Sequence, residues 1–256
     1  MRRLLVIGIG MGEPEGLTAR AADALGRANT FFLLDKSEAA GELVSARQAL
    51  IARFGRPGHR VVRAPSPPRR PAPLAGARKA YEGAVVDWHG ARAALLAGLI
   101  ARERGGRDRG DAGLGRPDAL RFDAAGAGGG TGRRGLHCRG FFPGVTALQA
   151  LCAAHAVPLN GIGEEVRLTT GRHVAQATPD APAFAVLLDD GSGLEALLAR
   201  GFEGTLWWGA NLGTEAEILV AGRLCEVGGG GPGGAGAGEG GARLGDGCVA
   251  GAAGFA

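Results

Sequence analysis

Lysine is almost missing from this chain of 256 residues: Lys36 and Lys79 are the only two, and the remaining 27 of its 29 basic residues are arginine. With 25 acidic residues the formal net charge is +4, mild and dispersed, which argues against a nucleic-acid footprint and fits at most a preference for anionic small substrates. Cysteine is scarce too. Cys138, Cys152, Cys225 and Cys248 form no Cys-x-x-Cys pair and have no nearby His partner, so neither a zinc site nor a disulfide framework is expected. No apolar run is read as approaching the ~20 residues of a membrane span. The amino terminus shows no secretory pattern of basic, greasy and small-residue segments, so a cytosolic protein is expected. Charged residues at 21% and hydrophobic ones at 45% exclude a disordered or fibrous chain. What abounds is glycine, at 49 residues. Average usage would give roughly 18 in this length, and the surplus is concentrated in two blocks.

The opening alternates strand and helix grammar. Arg3 to Ile9 is an apolar, β-branched run, Gly10-Met11-Gly12 a turn, Leu17 to Arg27 an amphipathic segment, and Phe31-Phe32-Leu33-Leu34 a second strand. Strand, helix and strand within about 35 residues predict a parallel α/β sheet. Glu38 to Phe54 reads as helix, Val61-Val62 as a short strand, 64–71 as a proline-rich extended loop, and Tyr81 to Arg102 as a long helix. From about Arg104 to Gly140 aliphatic periodicity disappears among Gly and charged residues, and this segment is expected to be glycine-rich coil. Regular grammar resumes at Phe141 with a Pro-Gly turn and a helix from Thr146 to His155. Ala183 to Leu188, Gly204 to Trp208 and Ile218-Leu219-Val220 read as strands around a helix from Leu194 to Arg200, a second α/β unit. The division expected is 1–157, 158–227 and an aberrant glycine-rich tail at 228–256.

Gly8-Ile9-Gly10-Met11-Gly12 after a first strand fits part of a dinucleotide-binding fingerprint, and Asp35 stands where a ribose-binding acid would. The third glycine of that fingerprint is absent. Glu13 and Pro14 occupy its neighbourhood, and a carboxylate there repels a phosphate from the amides meant to hold it. A ligand-free tight turn is the plain alternative. A cofactor without phosphate, such as the sulfonium S-adenosylmethionine with its zwitterionic tail, is the third.

The segment Val6-Ile7-Gly8-Ile9-Gly10-Met11-Gly12-Glu13-Pro14-Glu15-Gly16-Leu17-Thr18 resembles the opening of the tetrapyrrole (corrin and porphyrin) methyltransferases. Pro143-Gly144-Val145-Thr146-Ala147 and Val157-Pro158-Leu159-Asn160 resemble that family's Pro-Gly-x-Ser/Thr motif and its Pro-Leu strand. Four further segments resemble the corrin branch whose members methylate a precorrin ring carbon and release the extruded acyl group as acetate: 31–36, 86–89, 168–172, and 208–214 with 217–219. The resemblance covers about 1–103 and 141–227. It implies the two-domain tetrapyrrole methylase (class III methyltransferase) α/β fold, a homodimer, and S-adenosylmethionine in the cleft between the domains. The residues it points to are Gly10, Met11, Gly12, Thr146, Ala147, Leu187, Leu188, Gly209 and Ala210. Read without the resemblance, Leu187 and Leu188 are a buried strand, and Thr146 is a helix amino-terminal cap.

Methyl transfer from a sulfonium needs positioning and desolvation more than covalent help, so the lack of a triad or metal cluster is expected. Acetate release needs water and a base, for which His89 and Asp87 are candidates. His89 beside Trp88 equally suits a half-buried structural role. Precorrin carboxylates suit Arg69, Arg70 and Arg172.

One family motif is missing, the Gly-Asp-Pro-x-x-Tyr loop between the halves. In its place stands Gly113-Leu114-Gly115-Arg116-Pro117-Asp118-Ala119-Leu120-Arg121-Phe122-Asp123-Ala124. With permitted codons and a reading frame one nucleotide forward, this text can become Val-Trp-Gly-Asp-Pro-Thr-Leu-Tyr-Asp-Ser-Thr-Leu. Segments 104–140 and 228–256 therefore read as out-of-frame translation, which in GC-rich DNA yields Gly, Ala and Arg. A chain carrying those segments as written is expected to be unstable or inactive, a cofactor-binding remnant at best.

Overall fold

In a computed structural model of the chain, residues 2–35, 41–68, 78–103, 111–115, 136–189, 191–227 and 249–253 are described. Two compact units emerge, Met1–Gly144 and Val145–Ala256. The division falls thirteen residues before the one expected at 157/158, because the helix that begins at Ala147 belongs with the second sheet.

The first unit holds β1 (Arg2–Ile7), α1 (Ala19–Arg27), β2 (Ala28–Asp35), α2 (Gly41–Phe54), β3 (Arg60–Pro65), α3 (Arg78–Arg102), β4 (Asp111–Gly115) and β5 (Leu136–Phe142). Its five strands are all parallel, in the order β3-β2-β4-β1-β5. Both faces are covered, as an all-parallel sheet requires. Because strand side chains alternate, Leu5, Ile7, Phe31 and Leu33 point to one face, where they meet Ala21, Ala24 and Leu25 of α1 and Ile51 of α2. Leu4 and Phe32 point to the other and meet Leu96, Leu99 and Ile100 of α3. Helix α1 reads as expected, with small residues inward and an arginine in its last turn, where the helix dipole favours a cation.

Two expectations for this unit fail. The segment after Arg104 is not coil throughout, since β4 and the first part of β5 lie within it, and β4 fills the slot between β1 and β2. Two flanking strands present unpaired backbone groups there, and burying those unpaired is costlier than ordering a glycine-rich strand. Nor are long apolar runs lacking: Gly83–Arg102 is long and apolar enough, by length and composition, to cross a membrane. The run escapes notice because Asp87, His89 and Arg92 interrupt it, and its Leu96, Leu99 and Ile100 side rests on the sheet.

The second unit holds α4 (Ala147–Ala154), β6 (Val166–Thr170), α5 (Gly171–Gln176), β7 (Ala183–Leu187), α6 (Ser192–Ala199), β8 (Thr205–Ala210), β9 (Ile218–Arg223), α7 (Leu224–Val227) and β10 (Val249–Ala253). Its sheet is mixed, in the order β6-β7-β10-β8-β9. The glycine-rich tail therefore contributes a central strand, antiparallel to both neighbours, where coil was expected. Phe184, Val186, Leu206 and Trp208 build the core with Val174, Leu197 and Leu224. The Arg200 guanidinium donates to Val174 O and Ala175 O, both at 2.6 Å, and so satisfies carbonyls at the end of α5. Residues 157–160 form no strand. Left-handed Ala156 (φ 52°) ends α4, Pro158 has no amide to pair, and Asn160 Nδ2 donates to Glu164 O to start a turn.

Candidate functional site

In the first unit the carboxyl ends of β1 and β5 lie side by side, with Ile7 opposite Phe142, and each strand runs directly into a glycine turn. Gly8 N donates to Phe142 O at 2.7 Å. A Cβ on Gly8 would stand 2.6 Å from Gly144 N, and one on Gly144 would stand 2.5 Å from Gly10 N. These glycines are there for backbone contact: the two sequence motifs, Gly8 to Gly12 and Pro143-Gly144, form one surface. Gly10 (φ 63°) and Gly12 (φ 115°) take left-handed backbone that other residues resist, and Gly12 N closes the turn onto Ile9 O at 3.2 Å.

The turn is poorly suited to a pyrophosphate. Helix α1 starts only at Ala19, seven positions beyond Gly12, and the Ala21 amide already donates to the Thr18 hydroxyl. The Glu13 side chain folds over Gly16, leaving no space for a Cβ there. A capped helix start and a carboxylate beside a glycine turn disfavour a dianion and are compatible with a cationic or zwitterionic ligand. The donor set thus fits S-adenosylmethionine better than a dinucleotide.

In the second unit Thr146 caps α4 in a capping box. Its Oγ1 accepts from Gln149 N and donates to Gln149 Oε1, while Gln149 Oε1 accepts from Thr146 N. The hydroxyl is thereby engaged in the helix start, the plain role open to it in sequence. Ala147 is half-buried in the first turn. Leu187, the last residue of β7, and Gly209, the last but one of β8, lie at the same level, each opposite Val249 of the strand between them. Just beyond, Leu188 (φ 56°) and Asn211 (φ 52°) are both left-handed without being glycine. Leu188 is also 72% exposed. A bulky residue held left-handed with its side chain in solvent costs folding energy on both counts, a pattern concentrated at ligand sites. It is not the buried strand end that sequence alone allowed; Leu187 is half-buried.

What fixes this edge was missed in sequence. Asp189 is buried, and its carboxylate accepts from Gly193 N at 2.9 Å and Leu194 N at 3.1 Å, tying the chain after Leu188 to the start of α6. Gly171 and Gly193 leave no space for a Cβ beside it. After β8, Thr214 Oγ1 donates to Asn211 O, Asn211 Nδ2 to Ala216 O, and Gly213 N to the Glu217 carboxylate. Gly209 itself is explained by packing, since a Cβ there would stand 2.8 Å from Leu151 Cδ1 and 2.6 Å from Leu212 Cδ2. Ala210 is buried at the strand end.

The two acid–base candidates do not converge. Residues two apart on a helix point in nearly opposite directions, and Asp87 is exposed whereas His89 is half-buried. The His89 ring lies 5.2 Å from that of Trp88, whose Nε1 donates to Pro67 O at 2.8 Å and whose face carries the Arg92 guanidinium at 4.7 Å. Arg172 is exposed in the first turn of α5. Arg69 and Arg70 lie outside the described residues, as do Lys36 and the segment expected to replace the Gly-Asp-Pro loop beyond Gly115. Burial pushes the Cys152 thiol up, in keeping with an unreactive thiol, and no metal-holding group occurs among the described residues.

No protein-family profile matches the chain. It is 36% identical over 239 residues to a precorrin-6A synthase [deacetylating] of Sinorhizobium sp., an alignment covering 89% of this chain and 86% of that one. Among solved structures it is similar to a cobalamin synthesis related protein, CobF, of Corynebacterium diphtheriae, at 27% identity and a TM-score of 0.67 over 99% of this chain and 98% of that one. It shares its fold with a uroporphyrin-III-C-methyltransferase of Thermus thermophilus, at 22% identity and a TM-score of 0.53 over 98% and 92% of the two chains.

Proposed function

The chain belongs to the precorrin-6A synthase (deacetylating) family of tetrapyrrole methyltransferases, and from that membership we propose that it methylates precorrin-5 at C-1 and releases the extruded acyl group as acetate, giving precorrin-6A. The observation that carries this reading is the 36% identity to the Sinorhizobium enzyme over most of both chains. S-adenosylmethionine, when bound, supplies an electrophilic methyl group on a leaving group that is already activated. The chain's own part is to bind, orient and exclude water.

Gly10, Met11 and Gly12 offer a turn that is left-handed at both glycines, and Leu187, Leu188, Gly209 and Ala210 the ends of two strands of one sheet, with Leu188 left-handed and exposed. Thr146 and Ala147 contribute through backbone, the Thr146 hydroxyl being engaged in its cap. His89 is the candidate base for water in acetate release; Asp87 does not orient it. Arg172, Arg69 and Arg70 are the candidate clamps for substrate carboxylates. The enzyme is read as a cytoplasmic homodimer that acts on a tetrapyrrole and engages neither nucleic acid nor membrane.

The test is incubation of the purified protein with precorrin-5 and methyl-labelled S-adenosylmethionine. Expected are one labelled methyl on the ring and acetate in equal amount; ring methylation without acetate would refute the deacetylating assignment. Arg172→Ala should raise the KM for the tetrapyrrole about tenfold, roughly one charge-assisted hydrogen bond. Affinity for S-adenosylhomocysteine should stay as it was. The opposite pattern removes Arg172 from the substrate side.

A further inference from the structure

Thr18 makes two hydrogen bonds of different kinds through one hydroxyl. It accepts from Ala21 N at 3.2 Å as the amino-terminal cap of α1, and it donates its single proton to Pro143 O at 2.8 Å, across 125 positions of sequence. The cap needs only an acceptor, which Ser, Asp or Asn supplies equally well. The bond to Pro143 needs a donor.

That second bond is the one hydrogen bond found at Pro143 among the described residues. The β1–β5 ladder ends at the pair Ile7 and Phe142, with Gly8 N on Phe142 O. Gly144 is seated by backbone contact with Gly8 and Gly10. Between them Pro143 has no amide of its own, and the Thr18 hydroxyl grips its carbonyl. Three consecutive residues, Phe142, Pro143 and Gly144, are thus each fastened to the glycine turn or to the helix that follows it. We infer that Thr18 is a positioning residue for the cofactor surface: its donated hydrogen bond sets Pro143-Gly144 against Gly8 to Gly12, fixing the backbone that meets the ligand. This rests on the reading of that surface as the S-adenosylmethionine site.

Three variants of the full chain separate the two bonds. Thr18→Ser keeps both, Thr18→Asp keeps the cap but faces the Pro143 carbonyl with an acceptor, and Thr18→Val loses both. Titrated with S-adenosylhomocysteine in a calorimeter, Thr18→Ser should bind within about twofold of the parent, and Thr18→Asp about tenfold more weakly at an unchanged Tm, a loss near 1.4 kcal/mol. Thr18→Val should combine the same weakening with a lowered Tm. Hydrogen exchange at the Gly8 amide, which needs no ligand, should quicken in Thr18→Asp and not in Thr18→Ser. Parent-like affinity and unchanged Gly8 exchange in Thr18→Asp would overturn the inference. If the parent itself fails to bind S-adenosylhomocysteine, it is the cofactor reading that falls, and Gly8 exchange alone then decides whether Thr18 sets the turn.

Discussion

Gly144→Ala is expected to weaken S-adenosylhomocysteine binding by about tenfold to a hundredfold, some 1.4–2.8 kcal/mol, while far-UV circular dichroism still reports a folded chain. The new methyl would stand 2.5 Å from Gly10 N, 2.9 Å from Gly8 C and 3.0 Å from Gly8 O. All three are backbone atoms, so no rotamer change relieves the clash, and the two turns must separate by about an ångström. Insertion of a methyl into a site that cannot yield costs about 1–3 kcal/mol. Here that cost falls on the surface where the left-handed turn meets Pro143-Gly144. Gly90→Ala is the matched control. Gly90 lies mid-helix in α3 with no described atom within 4 Å of its Cβ position, so alanine there should raise stability by about 0.5–1 kcal/mol and leave binding alone. Equal binding by Gly144→Ala and the parent would remove the glycine turn from the cofactor site.

The elements legible in sequence are those whose side chains decide the structure. Leu4 to Ile7 and Phe31 to Leu34 carry apolar residues on both faces because both faces are buried, and α1 sets Ala21, Ala24 and Leu25 on one stripe. Strands β4 and β10 carry Asp-Ala-Gly-Leu-Gly and Val-Ala-Gly-Ala-Ala, which show no alternation to read. Each is a strand because its neighbours leave a slot of unpaired amides and carbonyls, and that is information about other segments. The site divides in the same way. Gly8, Gly10, Gly12 and Pro143-Gly144 were visible as turn chemistry, but their contact joins positions more than 130 apart in the chain. Asp189 left no local signal, and Asn211 only its place in the segment 208–214. An aspartate after a strand reads as a solvated end, and only the fold shows its carboxylate buried on the α6 amides. Asp87 and His89, the two candidate bases, lie on different sides of their helix, since proximity in sequence at a spacing of two is separation on a helix.

Restoring the family frame across the central segment is expected to raise the Tm by about 6–12 °C and to raise turnover above that of the chain as written. Strand β4 sits between β1 and β2, the position in a parallel sheet that ordinarily carries β-branched side chains, yet two of its five residues are glycine. The forward frame amounts to Gly113→Val and Leu114→Trp on the strand, and it brings the Gly-Asp-Pro loop in at position 115, the last residue of β4. Exchanging one central-strand glycine for valine recovers about 1 kcal/mol of backbone entropy and about 1.5–3 kcal/mol of burial. At ~2–4 °C per kcal/mol for a chain of this size, about 3 kcal/mol gives the stated shift. The gain in turnover has a separate expected cause, the return of the Gly-Asp-Pro-x-x-Tyr motif that the resemblance to the family implies. Sequencing the gene across codons 100–145 and from 222 onward checks the premise, and compensating single-nucleotide shifts are the expected result. If the DNA encodes the chain as written and the frame-restored protein melts no higher, the central strand owes its stability to its neighbours alone. The protein is then a remnant that keeps the fold of its family without the loop its chemistry requires.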